Sequence, residues 1–237
     1  MVTQKYIVVT GGTKGIGRAI IDRFAAEGFH IITCSRHEKD LQRLKLDIEQ
    51  TYTFSKVFYQ VIDVSQEGEV KRFVNYIKDL KVKIDVLVNN AGFFIPGTIH
   101  EESDTVLREM INTNLYSAYD LTKGLVPDMI KRKDGYIFTI CSTASITAYT
   151  NGGSYCIAKH ALYGMTRVLR EELKPHHIRV TAVLPGATYT ASWEGVDLPQ
   201  DRFMKSEDVA GAIWGAFALS KQTVIEELLL RPQLGDI

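Results

Sequence analysis

Tyr155 and Lys159 are the residues whose types and spacing point most directly to chemistry. Four positions apart on a helix, their side chains would lie on one face as neighbours. A free tyrosine has a pKa of about 10 and is a poor base near neutral pH, but a neighbouring ammonium stabilises the phenolate. The pair is therefore a candidate general acid/base, although the spacing alone also fits a surface tyrosine beside a solvated lysine.

Ser142 adds a hydroxyl group to this candidate site. It follows the apolar run from Tyr136 to Cys141, which predicts a buried strand, and it precedes the helix predicted from about Ser154 to Lys174. In open α/β sheets, ligands bind at the carboxyl ends of the strands. We therefore expect Ser142 to lie at a ligand-binding edge.

The composition excludes several classes of function. Lys and Arg total 28, as do Asp and Glu, and no long run of like charge suggests a nucleic-acid partner. Cys34, Cys141 and Cys156 fall in predicted strands or helices, which argues against a disulfide framework and is typical of the cytoplasm. Neither a membrane-length apolar run, a signal-peptide layout nor zinc-ligand spacing is apparent. We expect a soluble protein with small-molecule partners, no membrane segment and no metal.

A glycine-rich stretch from Gly11 to Gly17 follows the β-branched run that begins at Tyr6 and precedes a helix that Gly28 stops. A strand, a glycine turn and a helix start place free backbone N–H groups beside the positive end of a helix dipole, which suits a pyrophosphate. The spacing is Gly-x-x-x-Gly-x-Gly, so it departs from the commoner Gly-x-Gly-x-x-Gly fingerprint of dinucleotide sites.

The end of the second predicted strand discriminates between dinucleotides. Ser35 and Arg36 stand about 20 residues beyond the glycines, where an acidic residue would bind a ribose 2′-hydroxyl and an arginine would accommodate a 2′-phosphate. Lys14 adds a second cation within the glycine turn. Both cations could be exposed surface charge, but their placement favours NADP(H).

Strand and helix patterns alternate along the chain, which predicts one α/β domain over residues 1–237. The fold class is a Rossmann fold, a doubly wound parallel sheet of about seven strands with helices on both faces. A long helix is predicted from about Ser103 to Lys131, and Ser206 is a predicted N-cap. The pattern from Thr223 to Leu230 fits a helix or a strand, and we interpret it as the last strand. The irregular stretch at about 187–205 is typical of a substrate lid.

Two asparagines allow alternative interpretations. Asn90 lies in the small-residue turn that ends at Gly92 and could either fix that turn or contact a ligand. Asn114 interrupts the apolar face of the long predicted helix and could be a satisfied core residue or mark a slight kink.

Taken together, these motifs resemble the short-chain dehydrogenase/reductase family from one end of the chain to the other. The matching motifs, in order, are Thr10-Gly-Gly-Thr-Lys-Gly-Ile-Gly17, Asp63-Val64, Asn89-Asn-Ala-Gly92, Asn114, Ser142, Tyr155-x-x-x-Lys159 and Pro185-Gly-Ala-Thr-Tyr-Thr190. The glycine spacing is the one that this family uses.

The resemblance implies roles for individual residues. Tyr155 would donate a proton to a carbonyl oxygen, Ser142 would hydrogen-bond that oxygen, Lys159 would hold the nicotinamide ribose, and Asn114 would support a water-linked proton path. It also implies contacts with NADP(H) by the residues Gly11, Thr13, Lys14, Gly15, Ile16, Gly17, Ser35, Arg36, Asp63, Val64, Asn90, Ala91, Gly92, Tyr155, Lys159, Pro185, Gly186, Thr188 and Thr190.

Within the family, the chain end and the lid look similar to bacterial sepiapterin-reductase-like members, and the general body to 3-oxoacyl-carrier-protein reductases. Trp193 could stack on a flat pterin or pack on its own domain, and Tyr149 is a second candidate substrate residue. The main hypothesis is an NADPH-dependent carbonyl reductase that forms a homodimer or homotetramer. Alternatives are a 3-oxoacyl-carrier-protein reductase, a non-catalytic dinucleotide-binding scaffold or sensor, and an NAD-linked alcohol dehydrogenase, which Arg36 and Lys14 disfavour.

Overall fold

A parallel sheet forms the centre of the computed structural model, which describes residues 4–190 and 197–237. Within them the sheet has seven strands in the order β3-β2-β1-β4-β5-β6-β7. The strands are β1 (Tyr6–Thr10), β2 (His30–Ser35), β3 (Val57–Val61), β4 (Ile84–Asn89), β5 (Gly135–Ile140), β6 (Ile178–Pro185) and β7 (Glu227–Leu230). Because the chain reverses its direction of winding between β1 and β4, a ligand crevice is expected at the carboxyl ends of these strands.

Helices cover both faces of the sheet. They are α1 (Gly15–Ala26), α2 (Glu38–Thr51), α3 (Glu67–Asp79), α4 (Val106–Ile111), α5 (Ser117–Arg132), α6 (Gly153–Leu173) and α7 (Ser206–Ala218). The predicted fold class, a doubly wound parallel sheet with helices on both faces, is confirmed.

Neighbouring residues of each central strand enter two different cores. Val9 and Phe138 pack with α1, α2 and α7, whereas Val8 and Ile137 pack with α3, α5 and the end of α6. All four side chains are completely buried. Since both faces are covered, the strands appear in the sequence as continuous apolar runs, which is why they could be identified without alternation.

The prediction of one continuous helix from about Ser103 to Lys131 is wrong, because the helix is interrupted in its middle. Its first helical residue is Val106, and a π-helical turn, Asn112–Tyr116, separates α4 from α5. Within this turn the Asn114 side chain donates to the Met110 carbonyl at 3.1 Å. Ser117 donates to the Thr113 carbonyl at 2.6 Å. These side-chain donors compete for carbonyls of the preceding turn, which explains why the backbone widens there.

Two further predictions need correction. Ser206 is not the N-cap of α7: it is already helical, and its hydroxyl donates to the Tyr189 carbonyl at 3.5 Å. The last strand is also shorter than predicted, because its pairing with β6 begins only where Glu227 lies opposite Ala182. The predicted first residues of this strand have no regular structure, and the turn before them is closed by the Thr223 amide, which donates to the Ser220 carbonyl.

None of the helices within the described ranges is both long and apolar enough to cross a membrane. Across the same residues, no group of three or more His, Cys, Asp or Glu side chains is arranged to hold a metal ion.

Candidate active site

The glycine turn after β1 is locked to the turn after β4. The Thr10 hydroxyl accepts hydrogen bonds from the backbone amides of Asn90 and Ala91, at 3.0 and 2.9 Å. The Asn90 side-chain amide donates back to the carbonyls of Thr10 and Gly11, at 2.8 and 3.1 Å. In this structure Asn90 therefore fixes the turn, one of the two interpretations that its sequence position allowed.

Glycine is required where these two turns approach each other. A Cβ atom on Gly17 would lie 2.4 Å from both the Asn90 amide nitrogen and the Gly11 carbonyl oxygen. Gly15 has φ +53°, a left-handed conformation that glycine adopts without strain, and it begins α1. Thr190 lies against this point, because its methyl group would be 3.0 Å from a Cβ atom on Gly15. Gly15 and Gly17 thus add no side chain of their own at the start of α1, and Thr190 borders it.

The end of β2 lies beside the glycine turn. The Thr13 hydroxyl is 3.5 Å from that of Ser35, and Arg36 is exposed. The Lys14 ammonium lies 3.8 Å from the Asp40 carboxylate on the first turn of α2. Both predicted cations therefore lie at this end of the crevice, and Lys14 already has an acidic neighbour that the sequence did not indicate.

Asp63 follows β3, which pairs with β2 at this edge. Its carboxylate accepts hydrogen bonds from the amide and the hydroxyl of Ser65, at 3.0 and 2.8 Å. Val64 packs on the core beneath α3 and α5. The next turn along the chain therefore holds the Asp63 side chain at the carboxyl end of the sheet.

Lys159 is the buried cation of the site. Only 5% of this residue is exposed, and its ammonium donates to the Ile140 carbonyl at 2.9 Å. The ammonium also lies 5.7 Å from the centre of the Tyr155 ring. Helix α6 thus places Lys159 between Tyr155 and the end of β5. That strand ends at Ile140, two residues before Ser142.

Ser142 is held in a tight turn at the end of β5. Its hydroxyl oxygen accepts a hydrogen bond from the Ala144 amide at 3.1 Å. The Ser145 hydroxyl oxygen accepts one from the Ser142 amide at 3.2 Å. This reciprocal arrangement caps the short 3₁₀ turn Thr143–Ser145 and fixes the direction of the Ser142 side chain.

Asn114 is completely buried and hydrogen-bonded to the chain that leaves β4. Its amide donates to the Phe93 carbonyl at 3.1 Å, and its carbonyl accepts from the Phe93 amide at 3.2 Å. A Cβ atom on Gly92 would lie 2.5 Å from the Asn114 oxygen and 3.6 Å from the Lys159 ammonium. Asn114 and Lys159 therefore both approach Gly92.

An aromatic side chain packs directly against Tyr155, and a second, Tyr149, interacts with it electrostatically. The Phe94 ring packs edge-on against it, with 4.9 Å between ring centres. Tyr149 is 46% exposed, and its ring lies 3.1 Å from the position that a Cβ atom on Gly152 would take. Burial, reinforced by Tyr155, raises the pKa of Tyr149, so this phenol stays neutral at physiological pH. Trp193, the other predicted substrate residue, lies outside the described residues.

The chain after β6 borders the opposite side of the site. The amide of Gly186, which follows Pro185, donates to the Leu230 carbonyl at 2.8 Å. The Thr188 hydroxyl donates to the Gly186 carbonyl at 3.0 Å, and Thr188 forms a parallel bridge with Met204. These contacts hold the described start of the predicted lid, residues 187–190, next to the glycine turn.

Sequence reasoning missed Glu102 and Phe94. The Glu102 carboxylate accepts hydrogen bonds from the Ser154 amide at 3.0 Å and from the Ser154 hydroxyl, 52 residues away in the chain. In the sequence it is one of two consecutive glutamates in a loop, and nothing distinguishes it from Glu101. Phe94 is part of a short apolar run that could equally be core, so only tertiary structure reveals either contact.

The three cysteines are unpaired and buried. Burial raises the pKa of the Cys34 thiol to about 12 and that of Cys141 to about 11. Both thiols are therefore protonated and weakly nucleophilic near neutral pH. Thiolate chemistry at Cys34 or Cys141 is thus disfavoured.

Comparison with known proteins agrees with this architecture. The short chain dehydrogenase family model matches residues 5–200. Sepiapterin reductase of Chlorobaculum tepidum is 33% identical over 239 residues, covering 98% of this chain and 97% of its own. The 3-oxoacyl-(acyl-carrier-protein) reductase FabG of Thermotoga maritima is 31% identical over 219 residues and 88% of each chain. The structure of an alcohol dehydrogenase from the archaeon Thermococcus sibiricus, complexed with 5-hydroxy-NADP, matches with a TM-score of 0.90 at 27% identity over 97% of both chains. On the fold, the order of its motifs and these matches, the chain belongs to the short-chain dehydrogenase family.

Proposed function

We propose that this protein reduces a carbonyl group to an alcohol with NADPH, using Tyr155 as the proton donor. The observation that carries the proposal is the placement of Lys159, whose buried ammonium lies between the Tyr155 ring and the end of β5. Burying an ammonium is costly unless an opposite charge or several acceptors compensate it. The Ile140 carbonyl compensates part of this cost, and a phenolate on Tyr155 would supply the opposite charge.

The side chains then have separate tasks. Ser142 and Tyr155 donate hydrogen bonds to the substrate oxygen as negative charge develops on it, and Tyr155 transfers its proton. Lys159 stabilises the phenolate that remains. A preorganised donor at such an oxygen contributes on the order of 10²–10³-fold to the rate. NADPH, when bound, supplies the hydride for the reduction.

Asn114 is the residue we assign to proton resupply. The Asn114 and Lys159 side chains both contact Gly92, since each approaches the position that a Cβ atom would take there. The Phe93 backbone satisfies its amide and carbonyl, so its orientation is fixed. A fixed polar group beside the buried ammonium supports a water-linked path by which Tyr155 is reprotonated.

The residues present fit NADP(H). The glycine turn leads into the start of α1, whose first backbone amides and dipole suit a pyrophosphate. We assign the 2′-phosphate to Arg36 and Lys14, because an arginine at the end of β2 favours NADP(H) over NAD(H). We assign the adenine to Asp63 and Val64 and the nicotinamide to Pro185, Gly186, Thr188 and Thr190. The related alcohol dehydrogenase was solved with a modified NADP.

A pterin side-chain ketone is the substrate that we favour. Phe94 and Tyr149 give the surroundings of Tyr155 an aromatic character suited to a flat ring. The similarity to a bacterial sepiapterin reductase extends over almost the whole of both chains. A 3-oxoacyl-carrier-protein substrate is the second candidate, supported by the similarity to the Thermotoga maritima reductase.

A panel assay of NADPH oxidation tests the reaction and the substrate class. We expect turnover with sepiapterin to exceed that with acetoacetyl-coenzyme A, a soluble 3-oxoacyl probe, and with a small diketone. Preference for the 3-oxoacyl probe would replace the pterin assignment with the second candidate. If the protein binds NADPH but none of these three substrates causes NADPH oxidation, the non-catalytic scaffold or sensor would be favoured.

We further propose that the chain acts as one oxidoreductase domain in a homodimer or homotetramer. Side chains of α4, α6 and the π-helical turn that are apolar yet exposed support a second copy: Leu107, Tyr116, Ile157 and Val168. The free cysteines support the cytoplasm as its compartment. Light scattering of the purified protein measures the oligomeric state directly.

A further inference from the structure

We infer that Glu102 is a positioning residue that fixes the first turn of α6 and, through it, Tyr155. The inference rests on the proposed function, because Tyr155 is there the proton donor. Helix α6 has no side-chain cap of its own, and its N-cap position is a glycine. The Glu102 carboxylate supplies the missing acceptors, taking the amide and the hydroxyl of Ser154.

The loop that carries Glu102 also touches α6 through its backbone. The Gly97 amide donates to the Asn151 carbonyl at 3.0 Å, and Gly97 forms an isolated parallel bridge with Gly152. A Cβ atom on Gly153 would lie 2.6 Å from the Gly97 carbonyl and would collide with the Glu102 carboxylate. The loop and the helix start are therefore fitted to each other.

The electrostatics favour a carboxylate at this point. The first amides of a helix lack intrahelical acceptors and form the positive end of its dipole. Hydrogen bonds to a charged acceptor are shorter and stronger than those to a neutral one. Glu102 thus binds the helix by charge and by two hydrogen bonds.

The loop that carries Glu102 also contacts Tyr155 directly. Phe94 packs on the Tyr155 ring, and Phe93 pairs with Asn114. Tyr155 directly follows Ser154 in the chain. The loop that carries Phe93, Phe94 and Glu102 is therefore attached to the start of α6 as well as to the Tyr155 ring. Lys159, one turn further along, is anchored separately to Ile140. Loss of Glu102 should therefore displace the first turn of α6 while the rest of the helix stays in place.

Single-turnover kinetics test this inference. NADPH oxidation is followed by stopped flow at saturating ketone for the wild type, Glu102→Ala and Glu102→Gln. Glu101→Ala is the matched control, because Glu101 contacts Thr98 and His100 within its own loop rather than α6. The amplitude reports the fraction of competent sites, and the rate constant reports how well each site is aligned. A purely structural role would lower the amplitude alone.

We expect Glu102→Ala to lower the rate constant roughly tenfold, since a displacement of about 1 Å can cost up to about 10²-fold. Its NADPH dissociation constant should stay within about twofold of wild type. Glu102→Gln keeps an acceptor for the Ser154 amide and should recover most of the rate. A wild-type rate constant in Glu102→Ala, an equal loss in Glu101→Ala, or a Glu102→Gln enzyme as slow as Glu102→Ala would overturn the inference.

Two further experiments apply if Glu102→Ala does not fold or if the wild type has no ketone reductase activity. If Glu102→Ala does not fold, Ser154→Ala removes one of the two hydrogen bonds; a severalfold slower rate supports the inference and an unchanged rate overturns it. If the wild type reduces no ketone, the proposed function fails, and hydrogen exchange of residues 150–160 then decides. Faster exchange in Glu102→Ala or Ser154→Ala than in Glu101→Ala supports the fixing of α6, and equal exchange overturns it.

Discussion

At the scale of single residues, burial distinguishes Lys159 from an ordinary surface lysine. The sequence spacing alone fitted a solvated side chain, but only 5% of the residue is exposed. Its ammonium donates to a neutral carbonyl, which compensates the buried charge only in part. A buried and only partly compensated cation beside a phenol is typical of a functional site.

The choice of cofactor is also decided by single residues. A hydrogen bond between charged groups contributes roughly 1.5–3 kcal/mol, so Arg36 alone should favour NADPH over NADH by about 10- to 150-fold. Arg36→Asp sets a negative charge against the 2′-phosphate and should shrink or reverse this preference. Steady-state kcat/KM values with both cofactors measure the change.

Arg43→Asp is the control for this substitution. Arg43 is an exposed residue of α2, so the variant makes the same change of charge near the site. We expect its ratio of NADPH to NADH activity to stay close to that of the wild type. An unchanged ratio in Arg36→Asp, or a wild-type enzyme that prefers NADH, would mean that Arg36 is solvated surface charge.

At the scale of elements, the hydroxyl group of Thr10 at the end of β1 binds the turn that follows β4. Thr10→Val removes the acceptor shared by the amides of Asn90 and Ala91. A partly buried donor left without a partner costs about 1–3 kcal/mol, so we expect a loss of that size in the free energy of unfolding. Urea denaturation measures it. Thr53→Val, at an exposed position, should change it by less than about 0.5 kcal/mol; equal losses in both variants would contradict the assigned role of Thr10.

Helices with one apolar face could be predicted from the sequence, but their irregularities could not. The apolar spacing correctly indicated a helical segment that includes Val106 and Leu121. It did not show that Asn114 and Ser117 bind carbonyls of the preceding turn and open a π-helical turn there. Periodicity reports which face is buried, whereas the width of a turn depends on how individual polar side chains are satisfied.

At the scale of the whole molecule, the fold class follows from local signals. The glycine turn, the small-residue turn after β4 and the alternation of strands with helices suffice to predict a doubly wound sheet. The contact between Glu102 and Ser154 joins residues 52 positions apart, and no local pattern marks it. The same holds for Phe94 on Tyr155. The sequence therefore predicted the motif residues at the strand ends better than the contacts that hold them in place.

The measurement that tests the account most directly compares Tyr155→Phe with Tyr163→Phe in NADPH-dependent ketone reduction. Both variants lose one hydroxyl from α6, but the Tyr163 hydroxyl binds Glu227 at the surface. Removing the proton donor should lower kcat on the order of 10²-fold or more, with NADPH binding retained, and Tyr163→Phe should stay near wild type. A Tyr155→Phe enzyme with near wild-type turnover would contradict the proposal that Tyr155 supplies the proton.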